Sequence, residues 1–270
     1  MAKISVLMGV YNNASTLPAA LDSLIAQTFC DWELIVCDDG SQDESFAILT
    51  AYKDKYPHRI MLLQNKENLG LNATLNRCLL ASRGEYIARQ DGDDLSLPER
   101  FAKEAAVLDA APDIALVSSA MILFDEKGDW GISASKESPT AADFMRGSPF
   151  CHAACMMRRG ALLSVGGYSE GRRFERVEDY HLWYKLYRAG FKGHNLQEPL
   201  YRARDGRDAQ ARRTVRNRFN EAYIRWLCFC HLKPPIYTLP LVLRPLLVLL
   251  MPPAVYRHLH RKRLQSEENA

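Results

Sequence analysis

Apolar positions in the first 120 residues follow two alternating rhythms. Lys3-Ile4-Ser5-Val6-Leu7-Met8-Gly9-Val10 is a nearly continuous apolar run, the pattern of a strand buried on both faces. Leu17, Leu21, Leu24 and Ile25 then recur at the spacing of one helical face, behind Ser15 as a cap and with Pro18 in the first turn. The alternation continues down the chain. It predicts strands over 33–37, 59–64, 85–90 and 114–118, and helices over 43–56, 71–82 and 98–110. Strands alternating with helices of about a dozen residues make right-handed βαβ units. The predicted class is therefore α/β, with a mostly parallel, Rossmann-like sheet flanked by helices.

Beyond residue 120 the rhythm loosens. Met121 to Ser133 suits a hairpin turning at Glu126-Lys127-Gly128-Asp129, Ala153 to Arg158 a strand, and Gly166-Gly167-Tyr168 a turn. Glu178 to Ala189 is expected to be a helix with Leu182, Trp183 and Leu186 on its apolar side. Ile236 to Tyr256 is strongly apolar but broken by Pro240, Arg244, Pro245, Pro252 and Pro253. A membrane-spanning helix needs about 20 apolar residues with few charges. This segment is instead expected to lie in a membrane interface, with Arg257, His258, His260, Arg261, Lys262 and Arg263 on anionic headgroups. A helical hairpin packed on the domain's own surface is the alternative. The expected organisation is a main domain over 1–220, a helical apolar and basic segment over 221–264, and a disordered tail over 265–270.

Charge sharpens that division. The net charge of +3 hides an acidic body, −6 over residues 1–199, and a basic stretch, +11 over residues 200–263. The end of the chain is thus expected to meet something anionic. A membrane surface is favoured over nucleic acid, because the basic residues adjoin an apolar segment and no aromatic groove. The seven cysteines include no pair of CxxC motifs, so they read as buried thiols in a reducing compartment and not as a zinc site. The N-terminus opens on a strand and not on a signal peptide, so a cytoplasmic location is expected, peripheral to the inner face of the membrane.

Candidate chemistry concentrates where strands end. Ligands of open α/β sheets bind outside the carboxyl ends of the strands. Tyr11, Asp38-Asp39-Gly40-Ser41 and Asp91-Gly92-Asp93-Asp94 all follow predicted strands. Like charges packed this closely raise one another's pKa, and a divalent cation relieves the repulsion. Hard oxygen ligands favour Mg²⁺ or Mn²⁺. A solvated acidic turn is the alternative for the cluster alone, and a helix cap for the 38–43 turn. Asn68-Leu69-Gly70 opens a helix whose amides could face a ligand. Asp179, beside Glu178 at a predicted helix start, is where the helix dipole would favour a carboxylate able to accept a proton from a hydroxyl; a plain acid pair at a helix N-terminus is the alternative. Neither GxGxxG nor GxxxxGK[ST] is present, which argues against dinucleotide-binding and P-loop folds.

The ordered set Tyr11-Asn12, Trp32-Glu33-Leu34-Ile35-Val36-Cys37-Asp38-Asp39-Gly40-Ser41, Asn68-Leu69-Gly70, Gly84 to Asp94 and Glu178-Asp179 resembles the family 2 glycosyltransferases. It is most similar to bacterial enzymes of exopolysaccharide, capsule and O-antigen assembly, over residues 3–205. The resemblance implies a GT-A fold and sugar transfer with inversion. The donor would be a nucleotide-diphosphate sugar, with uridine expected as the base and guanosine or thymidine as the alternatives. The acceptor would be a polyprenyl-diphosphate-linked glycan, and Mn²⁺ or Mg²⁺ would assist. By the same resemblance Tyr11 and Asp39 would contact the nucleotide base. Asp91 would face the ribose or a metal-bound water, Asp93 would ligate the metal, and Asp179 would be the catalytic base. His152 would lie near the acceptor, and Glu178 beside acceptor or phosphate. Many relatives carry Tyr-Arg-x-His after the last core strand; here Tyr201-Arg202-Ala203-Arg204 places a cation that pairs with phosphate but cannot ligate metal. A sugar nucleotidyltransferase and a non-catalytic nucleotide-sugar-binding scaffold are the competing expectations. The former would carry an Arg- or Lys-containing phosphate loop, and Gly9 to Thr16 has neither residue.

Overall fold

The computed structural model describes residues 2–204 and 214–250. The first half runs β1 (Ile4–Val10), α1 (Leu17–Ile25), β2 (Trp32–Asp38), α2 (Ser45–Lys55), β3 (Ile60–Gln64), α3 (Leu71–Ala81), β4 (Tyr86–Arg89), β5 (Leu95–Ser96) and α4 (Arg100–Ala110). The second half runs β6 (Ile114–Asp125), β7 (Gly128–Ser133), α5 (Ala141–Phe144), β8 (Cys155–Arg158), α6 (Arg159–Ser164), α7 (Glu178–Arg188), β9 (Lys192–Arg204), α8 (Val215–Leu232) and α9 (Arg244–Leu247). Short 3₁₀ turns, Ile236–Val242 and Val248–Leu250, flank α9.

All the strands join one sheet in the order β3-β2-β1-β4-β8-β6-β9-β5, with β7 paired to β6 as the expected hairpin. The β3-β2-β1-β4 half is parallel throughout. The other half departs from a simple βαβ series. β8 inserts antiparallel between β4 and β6, and only β6 and β9 run parallel there. The sheet is therefore mixed. The insertion was not readable in the sequence, because Cys155 to Arg158 lies more than 60 residues from its partner β4 and carries no register signal of its own.

Alternation along β1 explains the two cores. Ile4, Val6, Met8 and Val10 face a layer with Leu17, Leu21 and Leu24 of α1 and Phe101 and Leu108 of α4. Leu7 faces the opposite layer, with Leu75 and Cys78 of α3 and Leu182, Trp183 and Leu186 of α7. Gly84 is required by sterics: a Cβ there would lie 2.6 Å from the Ser5 nitrogen. Ser5 Oγ accepts from the Gly84 N–H at 2.8 Å and donates to Glu33 at 2.6 Å, which satisfies a polar group inside the sheet.

Three expectations are corrected. The α1 cap position is Thr16, whose hydroxyl donates to the Gly92 carbonyl at 2.9 Å, and not Ser15. Cys30 and Cys230 are exposed, so not every thiol is buried. The strand expected over 114–118 runs on to Asp125 as β6, because it pairs with β9 along most of its length.

α8 runs through residue 220, where a boundary was expected. Ile224 and Cys228 are buried in the core, and the Arg225 guanidinium donates to the carbonyls of Met145, Arg146 and Leu241. Prolines break the 236–250 stretch into its short turns, and no helix among the described residues is long and apolar enough to cross a membrane. The expected headgroup-binding residues 257–263 and the tail over 265–270 lie outside the described residues.

Candidate active site

Parallel register sets the site. Val10 pairs with Asp38, Asp38 with Gln64, and Leu7 with Arg89. Tyr11, Asp39, Asn65 and Asp91 therefore follow strands that end along one edge of the sheet. The loops beyond that edge are tied to each other. Asn12, in the left-handed region at φ 53°, donates its N–H to Ser41 Oγ at 3.0 Å and accepts from the Gln42 N–H at 2.8 Å. The Asn13 N–H donates to Ser45 Oγ, and the Ala14 N–H to Asp43. Non-glycine residues in that backbone region carry strain and are held there by such surrounding bonds. Tyr11 itself is left 44% exposed at the rim, able to lie against a planar ring.

Asp39 is nearly buried. Oδ1 accepts from Asn65 Nδ2 at 2.7 Å and from the Leu69 N–H at 2.9 Å, and Oδ2 accepts from the Gly70 N–H at 3.0 Å. It thus fixes the 65–70 loop as well as facing the edge. A carboxylate offers about four lone-pair sites, and one of those on Oδ2 stays open for a ligand N–H. Gly40 (φ 74°) is packed so tightly on this loop that a Cβ would meet the Glu67 carbonyl carbon at 2.7 Å. Asn65 was missed at the sequence level. Its only signal is its place one residue past a strand end.

The acidic loop rests on buried polar chemistry. Gln90 is fully buried, and its amide nitrogen donates to the carbonyls of Asp91 and Asp94, both at 3.0 Å. Its amide oxygen accepts from Ser96 Oγ at 2.7 Å. Arg100 donates to that same hydroxyl at 2.9 Å and forms a fully buried ion pair with Glu104 at 3.2 Å. Tyr201 Oη accepts from the Asp91 N–H at 3.1 Å. Arg89, 1% exposed, donates to the Asp91 carboxylate.

The carboxylates above this base differ. Burial, reinforced by Asp91, raises the Asp93 pKa, while Arg204 and Arg89 oppose the rise. Burial, with Asp91 and Asp93, pushes Asp94 up to about 8, although its Oδ1 accepts from the Arg204 N–H at 2.6 Å. Arg204 Nε reaches the Asp93 carbonyl at 3.4 Å, and its guanidinium lies 4.8 Å over the Phe124 ring. The position expected to hold a phosphate-pairing cation is therefore beside the acidic loop. Among the described residues no group of three or more His, Cys, Asp or Glu side chains converges as a ready-made metal cage. One or two carboxylates, with the remaining positions left to phosphate oxygens and water, is how Mg²⁺-type ions are usually held. The Asp91 and Asp93 oxygens, crowded enough to raise the Asp93 pKa, fit that donor set.

Glu178 and Asp179 form the first turn of α7. Burial and then Asp179 raise the Glu178 pKa to about 7. Asp179 accepts from Ser148 Oγ at 2.8 Å. The two carboxylates face different spaces. Glu178 lines a cleft of about 1180 Å³, and Asp179 lines a smaller pocket of about 110 Å³ with Ser148, Val177 and Glu221. His152 lines neither. Its Nε2 is 2.8 Å from Tyr168 Oη and its ring packs edge-on to Trp183, while burial and the Arg89 charge hold its pKa near 3. His152 is therefore neutral.

The sheet edge thus carries two acidic loops, after β2 and after β4, and α7 begins with a third pair of carboxylates. The TarS fragment 1–349 of S. aureus in complex with UDP-GlcNAc superposes with TM-score 0.68 at 21% identity, covering 90% of this chain and 71% of that one. The mannosyltransferase PcManGT of Pyrobaculum calidifontis, in complex with GDP-Man and Mn²⁺, superposes with TM-score 0.62 at 16% identity, covering 99% and 86%. The sheet is thus a GT-A fold. The glycosyl transferase family 2 model matches residues 5–166, and the chain belongs to that family. Among its relatives, EpsE of Bacillus subtilis, described as a glycosyltransferase, is 40% identical over 98% of this chain and 96% of its own length. The amylovoran biosynthesis glycosyltransferase AmsE of Erwinia amylovora is 32% identical over 76% and 77%. WfaP of Escherichia coli, a UDP-Glc:α-D-GlcNAc-diphosphoundecaprenol β-1,3-glucosyltransferase, is 27% identical over 76% and 79%.

Proposed function

We propose that this chain is an inverting glycosyltransferase that moves a sugar from a nucleotide-diphosphate donor, a UDP-sugar, to a hydroxyl of a polyprenyl-diphosphate-linked glycan in exopolysaccharide assembly. The observation that carries this reading is the single sheet edge that collects Tyr11, Asp39, Asp91 and Asp93, with Arg204 beside them. Tyr11 lies flat against the base, and the open lone pair of Asp39 accepts a base N–H. Asp91 and Asp93 would hold Mn²⁺ or Mg²⁺, which would offset negative charge on a diphosphate. Arg204 pairs with a phosphate oxygen. Asp179 takes the proton from the acceptor hydroxyl as its oxygen attacks the anomeric carbon from the face opposite the nucleotide, and the bond from that carbon to the diphosphate oxygen breaks to release the nucleoside diphosphate. Glu178, and at greater distance His152, shape the acceptor side.

The relatives support the pathway: one is named for amylovoran biosynthesis and another for a diphosphoundecaprenol-linked acceptor. Such an acceptor lives at a membrane, and the basic, apolar C-terminal stretch would hold the enzyme peripherally on the cytoplasmic face. The deciding experiment is calorimetric titration with UDP, GDP and dTDP, each with and without Mn²⁺, on the wild type and on Asp93→Ala. Metal-dependent binding of one nucleotide, lost in the variant, is expected. No binding of any nucleotide by the wild type would overturn the donor site.

A further inference from the structure

The 1180 Å³ cleft beside Glu178 begins at the 68–70 loop that Asp39 anchors and extends away from it to the start of α8. Its walls are the 68–73 loop and start of α3, the 170–178 loop, and the start of α8. Its volume exceeds the roughly 300–1,000 Å³ that encloses a drug-sized ligand. Three arginines, Arg172, Arg176 and Arg216, share it with Glu170, Glu175 and Glu178. Opposite charges in one cleft ordinarily pair, yet among the described residues none of these arginines forms a salt bridge with any of these glutamates. Glu170 is held instead by Asn76 Nδ2 at 2.8 Å. Arg176 occupies the left-handed region at φ 64° and lines both this cleft and the Asp179 pocket. A strained residue there joins the two spaces at the carboxylates of α7.

Arginines and carboxylates that are interleaved but not ion-paired with one another suit a polyhydroxylated neutral ligand. Each sugar hydroxyl both donates and accepts, so guanidinium and carboxylate groups are satisfied together. A diphosphate would gain from the arginines but be repelled by the glutamates. We infer that this cleft binds the non-reducing end of the acceptor as a neutral oligosaccharide of at least two sugar units, recognised by Arg172, Arg176 and Glu175. The glycosyl-transfer reading above is assumed. The inference adds the length and charge of the acceptor and the residues that select it.

Saturation-transfer NMR on the full chain with UDP present tests it. The probes are neutral mono-, di- and trisaccharides in gluco, galacto, manno and N-acetylated configurations, with inorganic pyrophosphate as competitor. At least one di- or trisaccharide is expected to bind about tenfold or more tighter than its terminal monosaccharide, the size of one or two charge-assisted hydrogen bonds. Arg172→Ala and Arg176→Ala should each lose that gain while UDP affinity stays unchanged. A panel with no dependence on length, or a length gain kept in both variants, would overturn the inference. So would displacement of the saccharide by pyrophosphate, which would make the cleft a diphosphate site. Loss of UDP binding by the wild type would instead strike the donor reading.

Discussion

At the residue scale, neighbouring carboxylates are separated by where their side chains point. Glu178 and Asp179 are adjacent on α7, and consecutive helical positions do not share a face. Glu178 faces the large cleft, whereas Asp179 faces the small pocket and is fixed by Ser148. Asp179→Asn should lower kcat by about 10²- to 10⁴-fold, the usual contribution of a general base, with nucleotide affinity unchanged. Steady-state turnover beside calorimetric UDP binding separates the two, and turnover within a few-fold of wild type would remove Asp179 as the base. The acidic loop makes a pH prediction. Asp93 is shifted upward and Asp94 is raised to about 8, both chiefly by burial. A metal ion binds the ionised carboxylates, so protons must leave as it binds. Mn²⁺ affinity should therefore rise as pH increases and these carboxylates ionise. Titrations at pH 6, 7 and 8 in buffers of different ionisation enthalpy should show net proton release.

At the element scale, the loop after β4 is rigid because the residue before it is a buried glutamine. Gln90 bridges both ends of the turn through the Asp91 and Asp94 carbonyls and accepts from Ser96, whose hydroxyl is held in turn by Arg100 and its partner Glu104. Methionine fills a similar volume but makes none of these hydrogen bonds. Gln90→Met should cost about 1–3 kcal/mol of stability, from the polar partners left unsatisfied. It should also weaken Mn²⁺-dependent UDP binding more than metal-free UDP binding. Urea unfolding and paired titrations measure the two effects, and equal weakening with and without metal would reduce Gln90 to a purely structural part. The sequence placed Gln90 at the end of a strand, but its alternation could not show that the side chain points inward. Only the insertion of β8 beside β4, with the Cys155 carbonyl reaching Arg100, encloses that polar network.

At the scale of the whole molecule, one face remains apolar. Val215, Phe219 and Trp226 lie along one side of α8, and Ile236, Tyr237, Leu239, Leu243 and Leu247 are exposed in the turns that follow. This surface belongs to the stretch of the chain whose net charge is +11. Both properties suit an interface with anionic lipid. Trp226→Ser combined with Tyr237→Ser and Leu243→Ser should reduce co-flotation with vesicles containing anionic lipid and leave the melting temperature nearly unchanged, because these side chains are largely outside the core. Undiminished flotation would place membrane attachment elsewhere in the chain.

The local pattern determined the parallel half of the sheet, the helices over it and the acidic positions at its edge. A buried parallel strand must be apolar along its length, and a helix packed on it must repeat every 3.6 residues. The resemblance of the five ordered motifs carried the family, and the family model and relatives bear it out. Tertiary structure decided the rest. β8 inserts antiparallel because its partners are set by packing between distant segments, which no local periodicity encodes. Asp39 proves to be a loop anchor as well as an edge residue, because the 65–70 loop folds back onto it. His152 becomes a neutral, half-buried ring because Tyr168 and Trp183 pack against it. The order of residues states which chemical groups are available; burial and the direction of each side chain state which of them face a ligand, and both arise only when segments far apart in the chain come together.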